Sequence, residues 1–580
     1  MKKKAKLSKE TIKHLFVYLK GYRVLLLFSL LFALISVLLQ LYVPVLFGDA
    51  IDRLIGEGKV EFSSLTIYLV KIAVCVLTSA LFVWLMNNIN NRVTYSVVKD
   101  IRNDLIKHIQ HLPLSYLDSH TSGDIVSRII SDTTVLSDGL LLGFTQIFSG
   151  VITIIATLYF MFSKNLWISL IVILLTPLSF VVSSFISSRS FTLFRKQSED
   201  RGNETTLIDE IVGGLKVVKG YGYEKEAQKR FKDLNDELTS SSEKAIFYSS
   251  LANPSTRFVN NVIYAVVALI GVLFIPKGAI TVGGLTVMLA YANQYMKPFN
   301  DISSVITELQ NSFACASRVF ELINEKEEVK EENGVLENVE GNVEIDNVAF
   351  SYDKSKSLIE NLNVKAPHGT RVAIVGPTGC GKTTIINLLM RFYDPDEGTI
   401  KIDGKDILSV TRHSLRASYG MVLQETWIKS GTVRENITFG KENATEDEIM
   451  SAIKKSHCYD FISRLPNGLD TILEENSLSE GQKQLLCIAR VMLVHPPMLI
   501  LDEATSSIDT RTEILVQKAF DTLMEGRTSF VVAHRLSTIR NASIILVMKD
   551  GKIIEQGSHN ELIEKQGFYY TLYNSQFATV

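Results

Sequence analysis

Residues 376–383 read GPTGCGKT, and this stretch decides the fold of the C-terminal half of the chain. It fits G-x-x-x-x-G-K-[ST], a glycine-rich loop whose backbone N–H groups face phosphate oxygens. The hydrophobic run RVAIV at 371–375 precedes this phosphate loop, and a helix-forming run at 384–392 follows it. A strand, a glycine-rich turn and a helix in this order are the context that the motif requires. The loop therefore predicts an α/β domain with a nucleotide-phosphate site.

The residue types of the loop assign individual contacts to the nucleotide. Lys382 is expected to reach the β- and γ-phosphates, and the Thr383 hydroxyl to ligate Mg²⁺. The residues predicted to surround the nucleotide here are Gly376, Pro377, Thr378, Gly379, Cys380, Gly381, Lys382, Thr383 and Thr384. Cys380 has the alternative role of a small residue that simply fits. If its thiol is reactive, maleimides should inhibit the protein and ATP should protect it.

The N-terminal half predicts a membrane domain. The 580-residue chain has a net charge of −2 and a mean hydropathy of +0.18, a positive value that points to lipid. Its five cysteines are scattered, and this spacing favours reduced thiols over disulfides. Near-neutrality without a basic stripe argues against nucleic acid as the main partner. Six stretches are long and apolar enough to cross a bilayer: 24–47, 66–86, 139–162, 166–186, 247–275 and 280–299. The basic connections 87–138 and 187–245 are then cytoplasmic, as are both termini.

The organisation that follows has three parts. Residues 1–320 form the transmembrane domain, which begins with a helix along the membrane face; 321–340 form an acidic linker; and 341–580 form the nucleotide domain. The long connections each provide two helices whose tips, near 112–123 and 213–223, could touch a soluble domain. Solvated hairpins without a partner are the alternative. The predicted fold is a membrane α-helical bundle of six transmembrane helices with long cytoplasmic extensions, fused to an α/β P-loop ATPase domain.

Two further motifs complete a recognisable set. LSEGQ at 478–482 opens a helical run, and LILDE at 499–503 is a hydrophobic strand that ends in two acids. The phosphate loop, LSEGQ and LILDE, in this order, resemble the nucleotide-binding domain of ABC transporters. The strings LPLSYLDSHTSG and GGLKVVKGYGY at the two tips look like the coupling segments of ABC exporters. The resemblance implies a half-size exporter that works as a dimer, with ATP and Mg²⁺ between one chain's phosphate loop and the other chain's LSEGQ signature.

The resemblance also implies the catalytic residues. Glu503 would polarise the attacking water as general base, with the alternative that it caps the following turn. Gln424, in VLQETW, would contact the metal and the water, and His534, in VVAHRLST, would contact the γ-phosphate. The metal ligands would be Thr383, Gln424 and Asp502.

The remaining positions carried over by the resemblance contact the nucleotide. Tyr352, in FSYD, matches the aromatic residue that stacks on adenine, and Asp509, in SSID, matches the loop that crosses to the partner domain. The signature residues expected to bind the partner's nucleotide are Ser479, Gly481 and Gln482.

The signature departs from the family's strongest form, LSGGQ. Ser479 and Gln482 form a capping-box pattern, so Glu480 should be the first residue of the helix, where a carboxylate favours the isolated helix. The same helix end would receive the partner's γ-phosphate, and two like charges ~4 Å apart at an effective dielectric near 20 repel by at most about 4 kcal/mol. A weak signature beside complete catalytic residues favours a heterodimer with one strong and one weak ATP site. The alternative is that Glu480 points away and a homodimer works normally.

The expected function is ATP-driven export of lipophilic small molecules, drugs or lipids, by alternating access. The alternatives are an ATP-gated or regulatory membrane protein with a passive path and a peptide- or lipid-specific exporter; no peptidase domain precedes the first span, which disfavours a leader-cleaving peptide exporter. Several polar residues at membrane depth are predicted to line the translocation path, and Arg257 is the charged one among them. The alternative for Arg257 is that it snorkels to the cytoplasmic interface or forms a structural ion pair. The set is Gln40, Gln146, Arg257, Asn260, Asn261, Asn293 and Gln294. The expected location is a bacterial plasma membrane.

Overall fold

The computed structural model describes residues 9–54, 62–328, 334–423, 426–474, 477–502, 508–533 and 536–577. The chain divides into two compact units. The first contains Met1–Leu112 and His120–Lys326, and the second contains Pro113–Ser119 and Glu327–Val580. Each unit is considered by itself below.

The first unit is entirely helical in the part that the structure describes. Two π-helical segments, Arg128–Asp132 and Gly143–Ile147, join three of its helices into one path. The helices of residues 9–323, of which α4 belongs to the second unit, are α1 (Lys9–Lys20), α2 (Arg23–Asp52), α3 (Phe62–Ile109), α4 (Leu114–Ser119), α5 (Ser122–Ser127), α6 (Thr133–Leu142), α7 (Phe148–Lys164), α8 (Leu166–Gly213), α9 (Leu215–Gly220), α10 (Glu224–Ser250), α11 (Ala252–Phe274) and α12 (Val282–Ile323).

The helical paths agree with the predicted spans in position. Four described stretches are long and apolar enough to cross a membrane: Arg23–Asp52, Phe62–Ile109, Ser122–Lys164 and Glu224–Phe274. The other two predicted spans lie in α8, whose apolar part is Leu166–Leu178, and in α12. Polar residues, including Lys297, reduce the hydropathy of α12. The cytoplasmic extensions continue the spanning helices without a break, because α3 and α8 each run for 48 residues.

Two details refine the predicted organisation. Helix α12 continues to Ile323, into the segment interpreted as a linker. Helix α1 exists as predicted, but Leu15 and Leu19 are buried in the first unit, and Tyr18 donates a hydrogen bond to Asp104 (2.8 Å). This face of α1 therefore packs on protein, while Phe16 remains exposed.

Small residues and one carboxylate hold the outer ends of α2 and α12 together. A Cβ on Gly283 would lie 2.0 Å from the carbonyl oxygen of Gly48, so only glycine permits this approach. Asp52, at the end of α2, accepts hydrogen bonds from the Gly283 backbone N–H and the Thr281 hydroxyl, both at 2.7 Å. The Tyr291 hydroxyl donates to the Leu41 carbonyl at 2.8 Å, so the two helices stay in contact deeper in the unit.

The second unit is built on a six-stranded sheet in the order β12-β11-β3-β10-β9-β6, in which only β12 is antiparallel to its neighbour. An antiparallel sheet, β2-β1-β4-β5, and a β7-β8 pair accompany it. The strands are β1 (Val343–Phe350), β2 (Ile359–Ala366), β3 (Arg371–Val375), β4 (Glu397–Ile402), β5 (Lys405–Asp406), β6 (Tyr419–Val422), β7 (Gly431–Thr432), β8 (Ile472–Leu473), β9 (Met498–Asp502), β10 (Thr528–Val532), β11 (Ile544–Lys549) and β12 (Lys552–Gly557).

Helices cover this sheet and complete two apolar cores. They are α13 (Lys382–Leu389), α14 (Arg412–Ala417), α15 (Val433–Ile437), α16 (Glu446–Lys455), α17 (Tyr459–Ile462), α18 (Glu480–Val494), α19 (Thr510–Met524), α20 (Leu536–Arg540), α21 (His559–Glu564) and α22 (Phe568–Phe577). Strands β3, β9 and β10 are buried along most of their length, and their largely apolar sequences RVAIV, MLILD and TSFVV are typical of parallel strands covered on both faces.

The register of the parallel strands positions the site. Val532, the last residue of β10, is paired with Ile374 of β3 on one side and with Asp502 of β9 on the other. The carboxyl ends of the three strands therefore lie at one edge of the sheet, where ligands bind in open α/β folds. The phosphate loop, which follows β3, lies at this edge.

Candidate functional site

The phosphate loop has the backbone conformation that its glycines allow. Gly379 has φ 82° and Gly381 has φ 100°, values in the left-handed region that other residues rarely adopt. Gly381 is the N-cap residue of α13, so the loop leads directly into the positive end of this helix. A Cβ on Gly376 would lie 2.3 Å from the Met548 carbonyl oxygen, which excludes any larger residue there.

Lys382 folds back over the loop. Its Nζ donates hydrogen bonds to the carbonyl oxygens of Gly376 (2.8 Å) and Pro377 (2.9 Å). These bonds hold a positive charge beside the loop N–H groups, where phosphate oxygens would take the place of the carbonyls. Cys380 is buried, and burial raises the pKa of its thiol above the usual value.

A cavity of about 490 Å³ brings together seven of the fourteen predicted nucleotide residues, and its size lies in the range of small-molecule sites. Of the predicted loop residues, Gly376, Pro377 and Cys380 do not line it. The lining consists of Tyr352, Leu358, Thr378, Gly379, Gly381, Lys382, Thr383, Thr384, Asp502 and Val532.

Two oxygen donors in this cavity fit a magnesium ion. Thr383 and the buried Asp502 line the same cavity, and the register of β3, β10 and β9 places Asp502 at the edge of the sheet where the phosphate loop lies. Hydroxyl and carboxylate oxygens are the ligands that Mg²⁺ prefers beside substrate phosphates. The donor set thus fits the predicted cofactor.

Tyr352 belongs to an aromatic cluster at the mouth of the cavity. Its ring packs edge-on against Tyr393 (centroids 4.9 Å apart) and Phe350 (5.0 Å), and its hydroxyl accepts a hydrogen bond from Asn387 (3.0 Å). About half of the Tyr352 side chain is exposed, which leaves a face for a purine base.

Tyr393 also contacts the first coupling segment. Its hydroxyl donates to the carboxylate of Asp118 in α4 at 2.6 Å, and burial together with this bond raises the pKa of Tyr393. Residues Pro113–Ser119 belong to the same compact unit as the ATP cavity. Within the second unit, the Pro113–Ser119 part of the predicted tip thus contacts Tyr393, which packs on Tyr352. The second predicted tip contains α9, within the first unit.

The signature forms the N-terminus of α18. The predicted capping box is present, because the Ser479 side chain accepts from Gln482 N–H and the Gln482 side chain accepts from Ser479 N–H. Gly481 is buried against α19, and a Cβ there would lie 2.4 Å from Thr512. Glu480 is the first helical residue, as predicted.

Glu480 is paired rather than isolated. Its carboxylate contacts Lys483 Nζ at 2.8 Å and accepts a hydrogen bond from the Thr426 hydroxyl at 3.3 Å. Lys483 lowers the pKa of Glu480, so this carboxylate is ionised near neutral pH. The negative charge that was expected to weaken the signature thus has a cation beside it.

Family models match both parts of the chain. Residues 26–299 match the family model described as ABC transporter transmembrane region, and residues 359–506 match the family model described as ABC transporter. The chain belongs to the ABC transporter family. It is a multi-pass membrane protein with a cytoplasmic ATPase unit, and it couples ATP hydrolysis to transport.

Relatives of this ABC transporter align along nearly the whole chain. An ATP-dependent lipid A-core flippase of Desulfotalea psychrophila is 35% identical over 573 residues, covering 98% of this chain and 100% of the relative. A fatty acid ABC transporter ATP-binding/permease protein of Mycobacterium bovis is 40% identical over 519 residues, covering 89% of this chain and 82% of the relative. The solved structure of a bacterial Atm1-family ABC exporter with ATP bound matches with a TM-score of 0.78 and 29% identity, covering 96% and 98% of the two chains.

Some predicted residues of the transporter stand apart from the ATP cavity. Ser479, Gly481, Gln482 and Asp509 do not line it, and Asp509 instead caps α19 by accepting from Thr512 N–H (3.0 Å). The three predicted catalytic residues, Gln424, Glu503 and His534, lie outside the described residues, so their roles stay predictions.

The sequence analysis did not predict three residues of the site. Tyr393 and Asn387, which hold Tyr352, follow the phosphate loop in the stretch INLLMRFYD, but only the fold shows that they reach its ring. Lys483 could have been found, because it lies three residues after Glu480, a spacing at which helical side chains meet.

Proposed function

We propose that this transporter exports lipid-like amphiphiles from the cytoplasmic leaflet, with ATP hydrolysed at sites shared between two half-transporter chains. The substrate class rests on relatives named as a fatty acid transporter and a lipid A-core flippase.

The observation that carries the dimer site is the separation of its two halves. Within one chain, the phosphate loop, Tyr352 and Asp502 line the ATP cavity, whereas the signature lies at another helix N-terminus outside it. A helix N-terminus is a favourable place for phosphate. A second chain that presents its signature to the open side of the cavity would complete the site.

The chemistry proposed for this site is phosphoryl transfer to water. Bound Mg²⁺ would neutralise charge on the β- and γ-phosphates, held by Thr383, Asp502 and Gln424. Lys382 exchanges its loop carbonyl partners for phosphate oxygens. Glu503 orients and polarises the attacking water, and His534 contacts the γ-phosphate.

The kind of dimer stays a prediction. The heterodimer hypothesis depended on Glu480 repelling the partner's γ-phosphate, and the ion pair with Lys483 reduces that repulsion. Purification of the complex from its native membrane decides between the two forms: one chain type means a homodimer, and two mean a heterodimer.

The proposal is tested with the full chain in sealed proteoliposomes. ATP and Mg²⁺ should drive uphill accumulation of a fluorescent fatty acid, and Glu503→Gln should abolish accumulation while ATP binding persists. ATP-dependent equilibration without accumulation would instead show the passive, ATP-gated alternative. A heterodimer is reconstituted with its partner before this comparison.

A further inference from the structure

The second unit contains a cavity at the edge of the six-stranded sheet opposite to the ATP cavity. Its volume is about 930 Å³, and its walls are residues 335–340 (the entry segment), α14 and the turns that lead into β3, β9 and β10. Arg527, in one wall, directly precedes β10, whereas Val532, the last residue of β10, lines the ATP cavity. At about 3.3 Å per strand residue, these two residues lie roughly 16 Å apart, so the two cavities are separate.

Hydrogen bonds fix the entry segment as a wall of this cavity. The Leu336 N–H donates to Ser414 Oγ of α14 at 3.2 Å. Near the other end of the segment, the Asp403 carboxylate accepts from the Glu340 N–H at 2.9 Å. His368 Nδ1 donates to the Glu340 carbonyl oxygen, which joins the segment to the turn before β3. The cavity is therefore formed by the fold of the unit itself.

Arg527 carries a positive charge that forms no ion pair with a carboxylate in the described part of the chain. Its Nη1 is buried and has no hydrogen-bond partner among those residues. Its Nη2 donates to His495 Nδ1, so the partner of this guanidinium is an imidazole. Buried charges in proteins are normally paired. Carboxylate and phosphate groups are the partners that a guanidinium binds best.

His495 adds an uncharged donor to the same cavity. An arginine N–H can only donate, so Nδ1 of His495 accepts and the ring proton is on Nε2. Burial and the charges of Arg527 and Lys455 lower the pKa of His495, so the ring is neutral near pH 7. The Nε2–H group is thus available as a hydrogen-bond donor beside the guanidinium.

The remaining lining suits an organic molecule better than a bare ion. Val335, Val339 and Pro496 contribute apolar surface, and the volume lies in the range of small-molecule sites. Glu340 is the carboxylate of the described lining, and its Oε2 accepts from Asn342 Nδ2 at 3.5 Å. The described residues contain no group of three or more His, Cys, Asp or Glu side chains that could hold a metal ion.

We propose that this cavity is a second ligand site, which binds the carboxylate or phosphate group of a small organic anion on Arg527 and His495. The apolar body of the ligand would lie against the entry segment and Pro496. The site is independent of the proposed transport function, because none of its lining residues lines the ATP cavity.

The test measures the binding of soluble probes to the full-length complex in nanodiscs by titration calorimetry. A saturating non-hydrolysable ATP analogue with Mg²⁺ occupies the ATP cavity, so the probes cannot bind at the phosphate loop. Benzoate and phenyl phosphate are the anionic probes, and benzamide is a neutral probe with the shape of benzoate. At least one anion should bind saturably and about 10-fold more tightly than benzamide, because only the anions form charge-assisted hydrogen bonds.

Variants of the lining assign the binding to this cavity. Arg527→Gln should weaken anion binding about 10-fold and change benzamide binding less than about 2-fold, whereas Arg527→Lys should retain most of the anion binding. Arg464→Gln is the matched control, since Arg464 is an exposed arginine of the same unit that does not line the cavity. It should leave all three probes unchanged.

A second variant keeps the test decisive if Arg527→Gln does not fold. Ala417 is an exposed residue of α14 in the cavity wall, so Ala417→Trp fills the space and leaves Arg527 in place. It should abolish anion binding. The melting temperature and the affinity for the ATP analogue show whether each variant is folded.

Each outcome decides the proposal. Arg527-dependent binding of benzoate alone, of phenyl phosphate alone or of both supports it and identifies the carboxylate, the phosphate or either as the ligand group. The proposal is overturned if neither anion binds saturably, if benzamide binds equally well, or if Arg527→Gln and Ala417→Trp leave the affinities unchanged. An equal loss in Arg464→Gln also overturns it, because the binding would then depend on surface charge and not on the cavity.

Discussion

The ion pair at the signature gives a quantitative prediction about ATP affinity. Lys483 Nζ lies 2.8 Å from the Glu480 carboxylate, at the helix end that would receive the partner's γ-phosphate. Replacing Lys483 with methionine keeps most of the length of the side chain and removes the charge. Glu480 stays ionised near neutral pH, so its charge would then face the phosphate without compensation.

The size of the effect follows from distance and exposure. Unscreened repulsion between Glu480 and a phosphate ~4 Å away is at most about 4 kcal/mol at an effective dielectric of 20. The Glu480 side chain is 55% exposed, so solvent reduces the difference that Lys483 makes to about 1 kcal/mol, or about 5-fold. We expect Lys483→Met to raise the KM for ATP about 5-fold.

A double-mutant cycle in reconstituted ATPase assays tests this reasoning. Glu480→Gln should restore the KM in the Lys483→Met background, because no charge remains to be compensated. Lys441→Met is the matched control, since it breaks the exposed pair with Glu448 (2.7 Å) away from the signature. An equal rise in KM with and without Glu480 would refute the electrostatic explanation.

Three further predictions concern other contacts. Arg318→Met should destabilise the first unit by about 1–3 kcal/mol, because Arg318 donates to the buried Asp132 carboxylate (Nε, 2.8 Å). The melting temperature of Arg318→Met should fall, and adding Asp132→Asn to that variant should recover part of the lost stability. Tyr352→Ala should weaken ATP binding about 10-fold through lost base stacking, while Tyr352→Phe should retain it, as measured by equilibrium nucleotide binding. Burial raises the pKa of the Cys380 thiol, so maleimide should inhibit the ATPase slowly at neutral pH and faster as the pH rises, with protection by ATP; inhibition that persists in Cys380→Ala would contradict this.

Local motifs were predictable because their chemistry is contained in a few adjacent residues. The strand, loop and helix around residues 376–383, the capping box at Ser479 and the first helical position of Glu480 all depend on short-range rules. The tip at 112–123 was also predictable, since a short connection between two long helices needs a turn there.

Contacts between distant segments were not predictable from the pattern. Asp118 and Tyr393 are 275 residues apart, and their hydrogen bond depends on how the coupling segment packs. Lys297 was not predicted to line a cavity, because α12 has mixed polarity in sequence. Only the packing of α12 against α2 and α7 shows which face of α12 lines a cavity in the first unit. The first helix was predicted to lie along the membrane face, but protein covers its Leu15 and Leu19 side chains.

The most direct test of the central claim is ATP-driven uptake of a fluorescent fatty acid into sealed proteoliposomes, with Glu503→Gln beside the unmodified chain. The account predicts accumulation above the external concentration that requires ATP and Mg²⁺ and is lost in the variant. Equal accumulation by both proteins, or none by an unmodified complex that hydrolyses ATP, would contradict it.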